Sequence, residues 1–458
     1  MSTPAPAEDS LSRQDDLAYV MGALSEGENC SLTGMSNIGK SFLLRNLRRP
    51  EVQRRWGAPG SGSMILVYVD FNLMWEMTDQ GFYEVILRGI MSEIDQVASN
   101  PQVIDRVRQA YQNLINPTSS FLVPVSFGDG LMALNPGWER RLVLLLDEFD
   151  EPWANIDRRA FLNLRALRDR YQGSLCFVTA TLHPLACTRP DREIGEFCEL
   201  FAHRARSLAP LKAAEALELV RQLAAQDSSD LSESDAEFLV YHADGHPGLL
   251  QASYNLVARA KPLAMGAIGR EAPNYERVRS LLDSDETVRT ECAKLWNDLT
   301  EPEQKAMMAT VSGAESPARR ELEALRQRHY LAQRDGGLVP FCRLFEGFVR
   351  RQVLARSPQR PGVRVDVEAG DVYVDGKLVP ALTDLEYRML LLLYGNLGKI
   401  CDKYTIVEVV WGDSYIDQVD DARIEKLVSR LRQKLGEDPA NPQYLVTVRG
   451  RGYRLSNP

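Results

Sequence analysis

Residues Gly34-Met35-Ser36-Asn37-Ile38-Gly39-Lys40-Ser41 satisfy the pattern G-x-x-x-x-G-K-[ST], and they stand between a strand candidate at 29–33 and a helical stretch at 41–47. Phosphate binding demands that context. The glycines let backbone N–H groups turn toward an anion, and the start of the next helix favours its negative charge. Lys40 is placed to reach β- and γ-phosphates, and the Ser41 hydroxyl to ligate Mg2+. The loop Gly34, Asn37, Ile38, Gly39, Lys40, Ser41 and Phe42 is therefore the candidate site for ATP or ADP. Such chemistry needs carboxylates nearby. Arg141-Leu142-Val143-Leu144-Leu145-Leu146-Asp147-Glu148 is an apolar strand that ends in two of them. Asp147 would hold Mg2+ through water, and Glu148 would polarise the attacking water of a slow, switch-resetting ATPase. Asp150 reads as a surface or capping acid. Thr179 and Thr181, at the end of the apolar run 175–179, stand where a γ-phosphate sensor would, although strand-terminal threonines are more often structural.

These residues need a frame. Beyond the strand candidate at 29–33, apolar runs of about five residues at 64–69, 142–146 and 175–179 alternate with helical segments such as 82–98 and 158–171. That alternation predicts an α/β fold, a parallel sheet covered by helices on both faces. Residues 1–15 are Ser/Pro/Asp-rich and predict a disordered leader. Residues 116–137, with three prolines and three glycines, predict an irregular insertion. The nucleotide fold is expected over 16–210, a helical domain over 211–285 and a winged helix over 286–355. A linker at 356–362 and a C-terminal α+β winged helix at 363–458 complete the expected order.

Pro210-Leu211, then Gly245-His246-Pro247, extend the glycine loop and the Leu146-Asp147-Glu148 strand end into a longer pattern. Over about 17–355 the chain resembles the STAND class of P-loop ATPases. In that class a G-H-P histidine contacts the β-phosphate of bound ADP and holds the domains closed. The resemblance assigns this role to His246, with Pro247 beside it. It also implies that 286–355 is a winged helix packed against the nucleotide, rather than a DNA reader. No repeat of 20–50 residues is present to serve as the sensor usual in that class.

The last 95 residues carry other chemistry. Ile424, Leu427, Val428, Leu431 and Leu435 recur at helical spacing, and Arg423, Lys426, Arg430 and Lys434 form an adjacent basic stripe. A hairpin follows with Thr447, Arg449 and Arg451 at or near its tip, and no acid occurs after Asp438. A basic helix suits a major groove, and a basic wing suits the neighbouring phosphates. Ser429–Leu435, Thr447-Val448-Arg449-Gly450-Arg451-Gly452-Tyr453-Arg454, Leu382-Thr383-Asp384-Leu385-Glu386-Tyr387 and Val410-Trp411-Gly412 resemble the OmpR/PhoB family of winged-helix DNA-binding domains. That resemblance makes double-stranded DNA the expected partner.

Bulk properties limit the alternatives. The formal charge of −9 gives no global affinity for nucleic acid, and residues 360–458 hold 14 Lys/Arg against 15 Asp/Glu. DNA affinity must come from the local stripe and from clustering of copies. Seven scattered cysteines without C-x-x-C spacing imply reduced thiols, and no apolar run spans a membrane, which points to the cytoplasm. The expectation is an ATP/ADP-switched transcription regulator that self-associates when ATP-bound and answers an inducer, either small molecule or protein. The competing class is a STAND defence or stress ATPase whose last domain binds protein. A DNA-stimulated motor is the third.

Overall fold

The computed structural model describes residues 12–57, 64–97, 100–135, 140–189, 195–265, 275–313, 317–334, 336–356, 362–367, 370–412, 419–438 and 441–456. Strands β1 (Cys30–Thr33), β2 (Met64–Asp70), β3 (Arg141–Asp147), β4 (Leu175–Thr181) and β5 (Ala205–Ser207) form one parallel sheet, ordered β2-β3-β4-β1-β5. The strand candidate at 29–33 and the three apolar runs predicted strands β1 to β4. Every described residue of β1 and β4 is buried, as a sheet covered on both faces requires. The covering and connecting helices are α1 (Gln14–Ser25), α2 (Lys40–Leu47), α3 (Pro50–Trp56), α4 (Asp79–Val97), α5 (Pro101–Ile115), α6 (Leu122–Leu134), α7 (Asp150–Asn155), α8 (Arg158–Arg170), α9 (Leu185–Thr188) and α10 (Gly195–Glu199).

Two expectations are corrected here. The insertion at 116–137 is not irregular: α6 occupies most of it. Pro124 sits in the first turn of that helix, where its missing N–H costs nothing. Gly130 serves close packing, since a Cβ there would lie 2.7 Å from the Leu87 side chain on α4. The leader is also shorter than expected. Gln14 already begins α1, and Arg13 is 5% exposed. Residues 1–11, and the linker residues 357–361, lie outside the described residues.

Beyond the sheet come α11 (Ala213–Gln226), α12 (Glu233–Ala243), α13 (Pro247–Met265) and α14 (Tyr275–Ser284). Next are α15 (Glu286–Asn297), α16 (Glu301–Ser312), α17 (Arg319–Gln327), the hairpin β6 (Leu331–Arg334) with β7 (Gly337–Pro340), and α18 (Arg343–Arg356). The three-stranded sheet β8 (Val363–Asp366), β9 (Asp371–Val374) and β10 (Lys377–Leu378) follows. The chain ends with α19 (Asp384–Gly395), α20 (Lys403–Trp411), α21 (Asp421–Leu435) and the hairpin β11 (Leu445–Val448) with β12 (Gly452–Leu455).

The described residues fall into two compact units. One takes those of 1–269, 286–310 and 316–345, and the other those of 270–285, 311–315 and 346–458. The sheet, α11–α13 and the hairpin β6–β7 thus belong to one unit. Among the described residues, no helix is long and apolar enough to cross a membrane.

Candidate nucleotide site and winged-helix surface

The glycine loop joins β1 to α2. Asn37 and Gly39 both take left-handed backbone, with φ 56° and 103°, and Gly39 is the N-cap of α2. The loop is held from several sides within its unit. Lys40, 7% exposed, turns its ammonium back onto the Gly34 and Met35 carbonyls at 2.8 and 3.2 Å. Burial lowers the Lys40 pKa, opposed by the charges of Asp150, Glu148, Asp298 and Asp147. Arg13 donates from its guanidinium to the Ile38 carbonyl at 2.5 Å and to the Ala209 carbonyl at 3.1 Å, and its backbone N–H meets Glu215. Asn37 Nδ2 donates to Glu291 at 2.6 Å.

His246 stands against the same loop, fully buried. Its Nε2 lies 3.0 Å from the Ser36 carbonyl, and its Nδ1 lies 3.2 Å from the Leu249 N–H. A carbonyl only accepts and an amide N–H only donates. The ring therefore carries its proton on Nε2 and is neutral. Burial pushes its pKa down to about 4. The preceding Gly245 has φ 78°, and a Cβ there would meet the Leu211 carbonyl oxygen at 2.1 Å. Glycine at 245 is thus a steric requirement of bringing this turn to Leu211.

The end of β3 supplies the carboxylates. Asp147 is 1% exposed, and its Oδ2 accepts from the Tyr68 hydroxyl at 2.6 Å. Arg45 donates to that hydroxyl at 3.1 Å. Burial first, then the bond to Asp147, raises the Tyr68 pKa, keeping it a donor. Glu148 is exposed and has φ 53°, a conformation that non-glycine residues adopt at a cost. Phe149 is fully buried, with ring centroids 5.5 Å from Phe71 and 5.9 Å from Phe161. Burial and the adjacent Asp147 charge raise the Glu148 pKa. This left-handed carboxylate at the carboxyl end of a parallel sheet is a candidate functional position.

Asp150 is not the surface or capping acid expected. Its two oxygens accept from the Leu182 N–H at 2.9 and 3.0 Å, tying the end of β3 to that of β4. Thr179 donates to the Ser31 hydroxyl at 3.1 Å, tying β4 to β1, and Thr181 donates to the His183 carbonyl at 2.8 Å in the turn after β4.

In the C-terminal unit, α21 packs Ile424, Leu427, Val428, Leu431 and Leu435 into the core, as their spacing predicted. Arg423, Lys426 and Arg430 are exposed. Lys434 differs. Its ammonium is held by Glu386 at 2.8 Å and the Ala381 carbonyl at 2.6 Å. Arg432, outside the predicted stripe, clamps the Leu445 carbonyl at 2.7 Å and the Thr447 hydroxyl at 2.7 Å, fixing the wing to the helix. Arg449 and Arg451 are exposed in the turn between β11 and β12. Lys434→Ala is expected to lower the unfolding free energy of this unit by about 1–2 kcal/mol. It strands the Glu386 carboxylate, 3% exposed, without its cation. Calorimetric melting checks this, and an unchanged C-terminal transition would deny the pair structural weight.

Arg13, Tyr68, Glu291 and Asp298 were not legible as site residues. Arg13 hides in a polar leader, Tyr68 reads as a strand aromatic, and the two acids read as ordinary helix-face and helix-end residues.

Residues 378–455 match the family described as "Transcriptional regulatory protein, C terminal". Among curated relatives, the sensory transduction protein RegX3 of Mycolicibacterium smegmatis is 42% identical over 93 residues, which is 20% of this chain and 40% of the relative. The probable transcriptional regulator ycf27 of Porphyridium aerugineum is 38% identical over 91 residues, 20% of this chain and 38% of the relative. The chain thus spans about two fifths of the length of these relatives. Among solved structures, the Walker-type ATPase PABY2304 of Pyrococcus abyssi aligns over 74% of this chain and 95% of its own, at 15% identity and a TM-score of 0.47. The RstA DNA-binding domain of Klebsiella pneumoniae, in complex with the RstA box, aligns over 21% of this chain and 91% of its own, at 29% identity and a TM-score of 0.19. The C-terminal unit therefore contains, at 378–455, an OmpR/PhoB-type winged-helix domain of the transcriptional regulatory protein C-terminal family.

Proposed function

We propose that this chain is a cytoplasmic, ATP/ADP-switched transcription regulator that binds double-stranded DNA and self-associates in its ATP state. One observation carries the reading. A glycine loop of phosphate-binding sequence, with a buried lysine and a β3 end bearing Asp147 and Glu148, is joined in one chain to a transcriptional regulator's winged helix. The loop from Gly34 to Phe42 takes the phosphates, with Lys40 swinging from the Gly34 and Met35 carbonyls to the β- and γ-oxygens. His246 and Pro247 hold the closed, ADP-bound form, as the STAND resemblance implies. Among the described residues, no three His, Cys, Asp or Glu side chains gather to hold a metal. Mg2+ suits such a site, because it takes one or two protein oxygens and draws its other ligands from phosphates and water. Ser41 and Asp147 are the hard oxygen donors that would hold it, and there it would neutralise phosphate charge. Glu148 orients water for slow hydrolysis that resets the switch.

DNA binding rests on Arg423, Lys426, Arg430, Thr447, Arg449 and Arg451, with Lys434 contributing by positioning α21. One near-neutral domain has modest affinity, so clustering of copies on repeated sites raises occupancy. An inducer, small molecule or protein, sets the nucleotide exchange. The test is DNA binding at fixed salt by apo, ADP-loaded and ATP-loaded protein, with particle mass followed in each state. Binding and mass that rise together with ATP support the switch, whereas equal size and equal affinity in the ADP and ATP forms would sink it. Arg449→Ala and Arg451→Ala are each expected to lower the salt dependence of binding by about one unit of slope, through a lost phosphate contact. Retention of the full slope in both variants would exclude the wing from the interface.

A further inference from the structure

Asp298 follows α15 and precedes the Leu299-Thr300 turn that opens α16. Its side chain reaches the glycine loop from 262 residues away in sequence. The carboxylate accepts from the Ser36 N–H at 2.7 Å through Oδ2 and from the Ser36 hydroxyl at 2.8 Å through Oδ1. The residue is 8% exposed, and a third donor, the Tyr330 hydroxyl, meets Oδ2 at 3.0 Å. This placement is built rather than incidental. Arg328 donates to the Asp298 carbonyl at 3.2 Å and pairs with Glu303 at 2.8 Å, both side chains under 10% exposed. Glu303 in turn accepts from the Thr300 N–H and hydroxyl at 2.8 and 2.9 Å, closing the turn that aims Asp298.

An anionic oxygen pair on a loop N–H and a loop hydroxyl uses the kind of donor such a loop offers a phosphate. The Lys40 ammonium sits on the Gly34 and Met35 carbonyls directly before Ser36, so the carboxylate and the lysine flank the same end of the loop. A γ-phosphate added beyond the β-phosphate would bring further negative charge beside Asp298, and two anions there would repel. We propose that Asp298 is a specificity-determining residue that occupies a phosphate donor of the loop, favours a nucleoside diphosphate over a triphosphate, and must leave Ser36 for a triphosphate to bind fully.

The inference rests on the nucleotide reading above and deepens it. Its consequence is an exchange coupled to movement of the α15–α16 turn. Release of Asp298 from Ser36 frees the loop for the γ-phosphate, and seating of the γ-phosphate keeps Asp298 out. The carboxylate therefore links the nucleotide's phosphate count to the packing of α15 and α16.

Calorimetric titration of the full chain with ADP and with ATP, both with Mg2+, tests this on wild type, Asp298→Asn, Tyr330→Phe and Lys40→Ala. Asparagine keeps the shape and one acceptor oxygen for Ser36 while removing the charge. Asp298→Asn is expected to raise ATP affinity about tenfold, equivalent to about 1.4 kcal/mol, and ADP affinity by no more than about twofold. Tyr330→Phe, which removes one donor from the carboxylate, is expected to move the ATP-to-ADP ratio the same way by less. Wild type and Asp298→Asn with the same ATP-to-ADP ratio overturn the inference while leaving the nucleotide site standing. Absence of binding by wild type and Asp298→Asn alike, indistinguishable from Lys40→Ala, overturns both.

Discussion

Lys40→Ala is expected to lower affinity for ADP and ATP by about 100-fold. The ammonium is buried at the head of α2 and already hydrogen-bonded to two loop carbonyls, so little side-chain freedom remains to be lost when it turns to a phosphate. A charge-assisted hydrogen bond is worth about 1.5–3 kcal/mol, and the low polarizability of a buried site favours the upper end of that range. The acids around it sharpen the effect. Asp147, Glu148, Asp150 and Asp298 all act on this one lysine. Without its positive charge, these carboxylates oppose a polyanionic ligand with less compensation. Thermal shift provides an independent readout, because ligand at 100 times its Kd protects the folded state by about 2.7 kcal/mol. Wild type should show that protection with Mg-ADP, and Lys40→Ala should not at the same concentration. An affinity within threefold of wild type would remove Lys40 from the site and with it the main support for a nucleotide switch.

Legibility followed locality. The glycine loop, the β3 acids and the α21 core could be read because each is a short, contiguous pattern whose physics is set by neighbours in sequence. Strands β2, β3 and β4 could be read because burial on both faces of a parallel sheet forces apolar runs, and β1 because it leads into the glycine loop. The helix α6 was hidden by the same locality. Pro124, Gly128 and Gly130 look like breakers, yet the proline falls in a first turn and Gly130 is needed only because α4 lies against it. Strand β5, three residues long and partly exposed, offered no run to detect.

The candidate site divides the same way. Asp150 and Lys434 were recognised as charged residues in suggestive places, but their roles are decided by the Leu182 amide and the Glu386 carboxylate, neither adjacent in sequence. Arg13 and Asp298 contact the loop across 25 and 262 residues. No periodicity links such pairs, and no composition signal distinguishes a helix-end aspartate that caps from one that reaches across the fold. What sequence supplies is the loop; what packing supplies is the set of groups competing for it.

His246 makes the stability of the fold around the loop sensitive to pH. The ring is neutral because its two nitrogens face a carbonyl and an amide N–H, and a second proton would place Nδ1–H against the Leu249 N–H. Burial depresses its pKa from the ordinary 6.5 to about 4, against the raising effect of the bond to Ser36. The unfolded chain therefore binds a proton through the window from about pH 6.5 down to 4 while the folded chain does not. Stability from the neutral ring is fully present above the unfolded pKa and is lost as pH falls toward the folded one, by up to about 3 kcal/mol. Burial also depresses His183 and His329, so the whole loss in this window exceeds the share of one residue. Glu303, pulled below the usual carboxylate range by Arg328 against the opposing effect of burial, adds its share below the ordinary glutamate pKa. His246→Ala isolates the first component. It should unfold more readily at pH 7.5, through the cavity and the two lost contacts, and show a visibly shallower decline between pH 6.5 and 4.5 than wild type. Denaturant midpoints across that range give both numbers. Parallel profiles for the two proteins would mean that the ring accepts its second proton without cost, contrary to a histidine locked between Ser36 and Leu249.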